Sequence, residues 1–243
     1  MNTKLIVYFV IGIIISLFLF YNFYTPQVYT YDRVSKDKGK TIFILGSVHG
    51  NEPSGTKACY RLMNYLKKYP PKHKVIIMPM PNPIGYYLDS RYQLKPFNRD
   101  INRNFSDEGK DRISKIILEY VRASDFIVDL HEGYEYHKRY PKSMGSSIIP
   151  NKSKVALKIS NNIVHKVNKT IQDEDKKFVV SDFYDKEDCY LPDSLACYCN
   201  RHKKDYISIE TTGLNDNEQP INIRVNQHYL LLKEIIKNLY LKI

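Results

Sequence analysis

Short runs of uninterrupted apolar residues alternate along this chain with longer stretches of helical periodicity. Thr41-Ile42-Phe43-Ile44-Leu45, Val75-Ile76-Ile77-Met78, Phe126-Ile127-Val128-Asp129-Leu130 and Tyr206-Ile207-Ser208-Ile209 read as strands buried on both faces. A helix is predicted over 54–68, where Ala58, Leu62, Tyr65 and Leu66 share one face and Pro70-Pro71 closes the segment. Further helices are predicted over 113–122, 152–169, 194–201 and 223–241. Strands and helices in alternation predict an α/β fold, a mostly parallel mixed sheet with helices on both faces. The polar, turn-rich stretch from Asn82 to Asp107 is too long for a simple connection, so a functional loop is expected there.

The N-terminus breaks this pattern. No charged residue occurs between Leu5 and Tyr31, and Leu5 to Phe20 is almost continuous Ile, Leu, Val and Phe. With Tyr21, Phe23 and Tyr24 as an aromatic fringe, the run reaches the ~20 residues needed to cross a bilayer. A cleavable signal would need small residues at its cleavage site, and Tyr21-Asn22-Phe23-Tyr24-Thr25-Pro26 has no A-x-A-like site. A single-pass anchor over 1–24 is therefore expected, with the lipid bilayer as a partner, a linker over 25–40 and a catalytic domain over 41–243. Lys4 flanks one side and Arg33, Lys36, Lys38 and Lys40 the other, and long domains cross regardless of such charges. The side of the membrane stays open.

The formal charge of +11 over 243 residues favours anionic partners. The 37 Lys and Arg are scattered, with no basic block, so a solvated basic surface is expected rather than a specific nucleic-acid site. Of the four cysteines, Cys189, Cys197 and Cys199 cluster without paired C-x-x-C units. A disulfide within this cluster or ordinary thiols are both open, and a structural zinc site is disfavoured.

In such sheets ligands gather at the carboxyl ends of strands. Three polar clusters follow predicted strands: Gly46-Ser47-Val48-His49-Gly50-Asn51-Glu52, His131-Glu132-Gly133, and Glu210-Thr211-Thr212-Gly213. Together they suggest one catalytic zinc ion, which takes three protein ligands and leaves coordination for water and substrate. His49 and Glu52, three residues apart on a turn entering a helix, can supply a nitrogen and an oxygen, and His131 a second nitrogen. Glu210 is placed to move the proton of a water whose pKa the metal lowers. Any one of these residues alone would be a turn former, a hydrogen-bonded histidine or a surface ion-pair partner. Their conjunction carries the reading.

His49-Gly50-Asn51-Glu52-Pro53-Ser54-Gly55 resembles the first metal motif of the zinc carboxypeptidase superfamily, especially its succinylglutamate desuccinylase/aspartoacylase and murein peptide amidase branches. Asn82-Pro83-x-Gly85 with Asp100-Ile101-Asn102-Arg103-Asn104-Phe105 is similar to its substrate-clamp segment. Asp129-Leu130-His131-Glu132-Gly133 resembles its second metal motif, and Ile207-Ser208-Ile209-Glu210 its catalytic-glutamate strand. The four motifs occur in the family's order. The resemblance implies His49, Glu52 and His131 as zinc ligands and Glu210 as general base and acid. It further implies Asn102 and Arg103 as the clamp for a substrate carboxylate, a geometry that suits a guanidinium fork. An arginine that stabilises the oxyanion is also implied, with Arg91 preferred to Arg99. Tyr190, in the stretch Tyr190-Leu191-Pro192-Asp193-Ser194-Leu195, would close over substrate, and Leu195 would line a specificity pocket or belong to the core.

The resemblance thus implies a zinc hydrolase cutting an amide bond beside a free carboxylate, a metallocarboxypeptidase or murein-peptide-amidase-like enzyme acting on a small peptide. The alternative is an N-acyl amino acid deacylase, whose relatives carry an extra β-rich domain after the catalytic glutamate. About 33 residues follow Glu210 here, which turns the expectation toward the peptidase. A non-catalytic, membrane-tethered binding protein is the reading from a different class.

Overall fold

Alternating side chains of the central strands feed two separate apolar layers, and this sets the architecture. Ile42 and Ile44 face one layer while Phe43 and Leu45 face the other, as period-2 geometry requires. The computed structural model describes residues 3–34, 39–93, 99–181, 191–214 and 219–239. Along the chain, α1 (Thr3–Tyr24), β1 (Tyr29–Tyr31), β2 (Thr41–Leu45), α2 (Pro53–Lys68), β3 (Lys74–Met78), α3 (Pro83–Tyr87), α4 (Arg112–Arg122) and β4 (Phe126–Tyr134) come first. They are followed by β5 (Ser147–Pro150), α5 (Lys154–Asn168), β6 (Val179–Val180), α6 (Leu195–Arg201), β7 (Asp205–Leu214) and α7 (Ile221–Asn238).

The seven strands form one sheet in the order β1-β3-β2-β4-β7-β5-β6. The central neighbours β3/β2, β2/β4 and β4/β7 are parallel, whereas β1 runs antiparallel to β3 and β5 antiparallel to β7. One face is covered by α2, α5 and α7 through Ala58, Leu62, Ile159, Ile163, Leu231 and Ile235. The other is covered by α4 and α6 through Ile113, Ile117, Leu118, Val121, Leu195 and Tyr198. The mostly parallel mixed sheet with helices on both faces is the one the apolar pattern predicts.

Three expectations need correction. The linker expected over 25–40 contributes an edge strand, β1, where Tyr29, Thr30 and Tyr31 pair with Ile77, Ile76 and Val75. The strand expected at 126–130 continues to Tyr134, and that expected at 206–209 continues to Leu214. Their polar ends are therefore not loops. β4 and β7 hold each other in register through His131 opposite Glu210 and Glu132 opposite Thr211, so ladder hydrogen bonds support residues whose side chains are polar. Finally, residues 3–24 do form a helix, but among the described residues no helix is long and apolar enough to cross a membrane. The expected membrane span has no support in the structure.

Candidate metal centre

The site forms where the carboxyl ends of β2, β4 and β7 meet the long loop after α3. Leaving β2, the chain turns through His49–Glu52, with the Glu52 N–H donating to the His49 carbonyl at 3.2 Å. Gly50 permits a close approach here. A Cβ on Gly50 would run into the backbone of Gly85 in α3, whose own turn is fixed by Asn82 Oδ1 accepting from Gly85 N–H at 3.0 Å. The two motifs on either side of β3 thus pack backbone to backbone.

Glu52 sits at the N-cap of α2 yet makes no cap bond. Its carboxylate turns instead to the two imidazoles. His49 Nδ1 lies 2.7 Å from Glu52 Oε1, and His131 Nδ1 lies 3.0 Å from Glu52 Oε2. Ligand atoms of His49, Glu52 and His131 all lie within 4.8 Å of one another, and all three residues are buried. A tetrahedral zinc ion with bonds of about 2.0–2.1 Å would set its ligands roughly 3.3 Å apart, so the donor set fits such an ion.

The far nitrogens of both rings meet carboxylates. His49 Nε2 is 2.9 Å from Asp100 Oδ1, and His131 Nε2 is 3.0 Å from Asp129 Oδ2, which also accepts from the Tyr206 hydroxyl at 3.0 Å. A ring that gives its Nε2–H to a carboxylate presents the Nδ1 lone pair to a metal, and the carboxylate fixes that tautomer and orientation. Period 2 along β4 puts Asp129 and His131 on one face, and along β7 it puts Tyr206, Ser208 and Glu210 on the same face.

The electrostatics favour a cation. Glu52, Asp100, Asp129 and Glu210 converge on the two rings, and Arg91 reaches Glu52 at 3.2 Å and Asp100 at 2.9 Å. Burial works against charge on Glu52, but the adjacent histidines outweigh it and hold the carboxyl well below its usual range. Asp100 behaves likewise, through His49 and Arg91. Burial also opposes protonation of His131, yet Asp129, Glu210 and Glu52 raise its pKa well above 6.5; His49 is raised in the same way by Glu52 and Asp100. Glu210 is pushed up to about 7, first by burial, with His131 pulling down and Glu52 and Asp129 adding to the rise.

The other expected residues divide. Arg91 enters the site, while Arg99 is exposed and contributes its carbonyl to Gln93 N–H. Asn102, on a 3-10 turn (Ile101–Arg103), accepts from Leu195 N–H at 2.9 Å through Oδ1 and directs its amide nitrogen to within 3.5 Å of His131 Nε2. Arg103 is partly exposed, and its Nη1 donates to the Asn102 carbonyl at 2.6 Å. Leu195 is fully buried in the layer beneath α4 and α6, a core residue rather than a pocket lining. Tyr190 lies outside the described residues. Asp100 and Asp129 stood inside the quoted motifs without an assigned role. The D-x-H spacing of Asp129 and His131 was the signal, since residues two apart on a strand share a face.

A family model for the succinylglutamate desuccinylase/aspartoacylase catalytic domain matches residues 38–152, the segment that carries His49, Glu52, Arg91, Asp100 and His131. The fold matches the product-bound cell shape determinant protein Csd4 of Helicobacter pylori with a TM-score of 0.73 at 19% identity, covering 90% of this chain. The family match covers just under half of the chain, and the structural match shows the fold. This chain spans 56% of the Csd4 chain. The fold also matches a candidate metallopeptidase from Shewanella denitrificans, with a TM-score of 0.62 at 16% identity, covering 88% of this chain and 79% of that one. A curated relative, the N-alpha-acetyl-L-2,4-diaminobutyric acid deacetylase of Halomonas elongata, is 29% identical over 106 residues, 41% of this chain and 30% of that protein.

Proposed function

We propose that this chain is a zinc-dependent hydrolase that cleaves an amide bond beside a free carboxylate in a small peptide, as a metallocarboxypeptidase does. The observation that carries the reading is the grouping of His49, Glu52 and His131 ligand atoms within 4.8 Å, with Glu210 opposite His131 on the neighbouring strand. A divalent metal held by these three residues supplies Lewis-acid polarisation of a carbonyl and lowers the pKa of water. Glu210, with a pKa near neutrality, takes a proton from the attacking water and returns it to the leaving nitrogen. Arg91 spends three of its five N–H donors on Asp100 and Glu52, which aims the guanidinium at the metal position and leaves it donors for a developing oxyanion. Asn102 and Arg103 hold the substrate carboxylate.

The peptide reading is supported by the match to Csd4 over about nine-tenths of this chain, and Csd4, described as a D,L-carboxypeptidase, has been seen with a tripeptide and with mDAP bound. The family model and the Halomonas relative favour a second reading, an N-acyl amino acid deacylase. Assay of the zinc-loaded protein on peptides ending in a free carboxylate and on N-acetyl amino acids separates the two. Peptide cleavage supports the first, and hydrolysis of acyl amino acids alone supports the second. Turnover of neither class supports a binding protein.

We also propose that the helix at 3–24 holds the chain at a membrane. The support is the absence of charged residues from Leu5 to Tyr24 and the exposure of Ile6, Val7, Phe9, Val10, Ile11, Ile13, Ile14 and Ile15. Cys197 is disulfide-bonded, which suits an oxidising compartment and hence the outer side. Flotation of the full chain with liposomes, lost on replacing Phe9 and Ile13 by Asp, tests this; flotation unchanged by those replacements contradicts it.

A further inference from the structure

Glu132 belongs to the strand that carries His131, yet it points the other way. Val128, Leu130 and Glu132 face α2 and α7, while Asp129 and His131 face the site. A carboxylate in this layer is costly unless it is paired and hydrogen-bonded, and Glu132 is only 2% exposed. Its Oε2 meets Nη1 of Arg224 from α7, itself buried, and Arg224 Nη1 also donates to the Gly213 carbonyl at 3.3 Å. A Cβ on Gly213 would run into both charged groups, so glycine is required for this pair to form.

The other oxygen of Glu132 reaches the metal-ligand helix. Glu132 Oε1 accepts from Ser54 N–H at 2.7 Å, and the Glu132 N–H donates to Glu52 Oε2 at 3.0 Å. Ser54 stands in the first turn of α2, where N–H groups lack helical partners. Pro53 has no N–H to offer, and Glu52, at the N-cap, gives its carboxylate to the histidines instead of to the helix. Glu132 therefore fills the capping place that Glu52 leaves, and holds the Glu52 carboxylate from a second direction.

We propose that Glu132, fixed by Arg224, is a positioning residue for the metal site: it ties the first turn of α2 to β4 so that Glu52 meets His131 at the spacing one ion needs. The proposal rests on the reading of His49, Glu52 and His131 as metal ligands. Glu132 acts through the placement of Glu52 and is not itself a ligand, and Arg224 offsets its charge in the apolar layer.

Two double variants of the full chain test it, Glu132→Gln with Arg224→Met and Glu132→Leu with Arg224→Met. Both remove the ion pair, but only glutamine retains an oxygen for Ser54 N–H. Zinc affinity is read by competition with a chromophoric chelator, ligand geometry by the visible spectrum of the cobalt-substituted protein, and folding by the melting temperature of the metal-free protein. The glutamine variant should bind zinc within about threefold of the unmodified chain, and the leucine variant about 10–100-fold more weakly with a shifted cobalt spectrum. Equal zinc affinities and identical cobalt spectra for the two variants would overturn the proposal. Should the leucine variant not fold, Ser54→Pro removes the same N–H from a first turn that tolerates proline, with Ser54→Ala as the control. Weaker zinc binding by the proline variant alone supports the tie, and equal binding overturns it. An unmodified chain that takes up no zinc sinks the metal-site reading itself, a separate outcome.

Discussion

His131 and Glu210 stand directly opposite each other across the parallel ladder of β4 and β7, their side chains on the same face of the sheet. One ladder position therefore carries both a proposed metal ligand and the proposed proton carrier. The neighbouring position, Glu132 opposite Thr211, faces the other layer and carries the tie to α2. His131, Glu132 and Glu210 are placed by two strands and their alternation.

Replacing Glu210 by Gln removes the proposed proton carrier and leaves the three proposed ligands in place. Turnover should fall by roughly 10²–10⁴-fold while zinc content is unchanged. Steady-state kinetics alongside metal analysis checks both halves, and loss of zinc in this variant would place Glu210 among the ligands instead.

Replacing Asp129 by Asn leaves His131 in the chain but removes the carboxylate that orients its ring. Zinc affinity should weaken by about 10–100-fold. The Tyr206 hydroxyl, which donates to Asp129, should matter less, so Tyr206→Phe serves as the milder comparison in the same competition assay.

Zinc binding at pH 7 should release protons. Without metal, burial disfavours charge on His49 and His131, but the surrounding carboxylates raise both pKa values, His131 well above 6.5. Each ring must lose its extra proton to coordinate, so affinity is full above the raised values and is lost as pH falls through them. Calorimetry in buffers of different ionisation enthalpy reads the release directly, and a buffer-independent heat would contradict it.

His228 predicts how the fold responds to acid. It is fully buried, 3.2 Å from Thr211 Oγ1, and burial lowers its pKa from 6.5 to about 3. The unfolded chain therefore binds this proton first, and stability should be lost between about pH 6.5 and 3, on the order of 1.4 kcal/mol per pH unit. Denaturant melts of His228→Gln against the unmodified chain should show a shallower loss over that window.

The layer architecture was legible because strand segments such as 42–45 are apolar at every position, a pattern that a doubly covered sheet buries. The grouping of His49, Glu52, His131 and Glu210 at one sheet edge was legible because they follow those runs. Strand ends were not, since His131-Glu132-Gly133 and Glu210-Thr211-Thr212 look like loop sequence until the β4–β7 register shows the ladder continuing beneath them. The contact of Arg91 with Asp100 shows only once the loop is folded back, and the Glu132–Arg224 pair joins residues 92 positions apart that no local pattern connects. Strand β5 ends in Pro150, a residue that argues against a strand, and it escaped the sequence reading for that reason.

The most direct test is anomalous diffraction at the zinc edge from crystals of the full chain. A single strong peak is expected, bounded by His49 Nδ1, His131 Nδ1 and the Glu52 carboxylate and absent in His131→Ala. No peak at that position from zinc-soaked crystals, or a peak that survives the loss of His131 unchanged, would contradict this expectation.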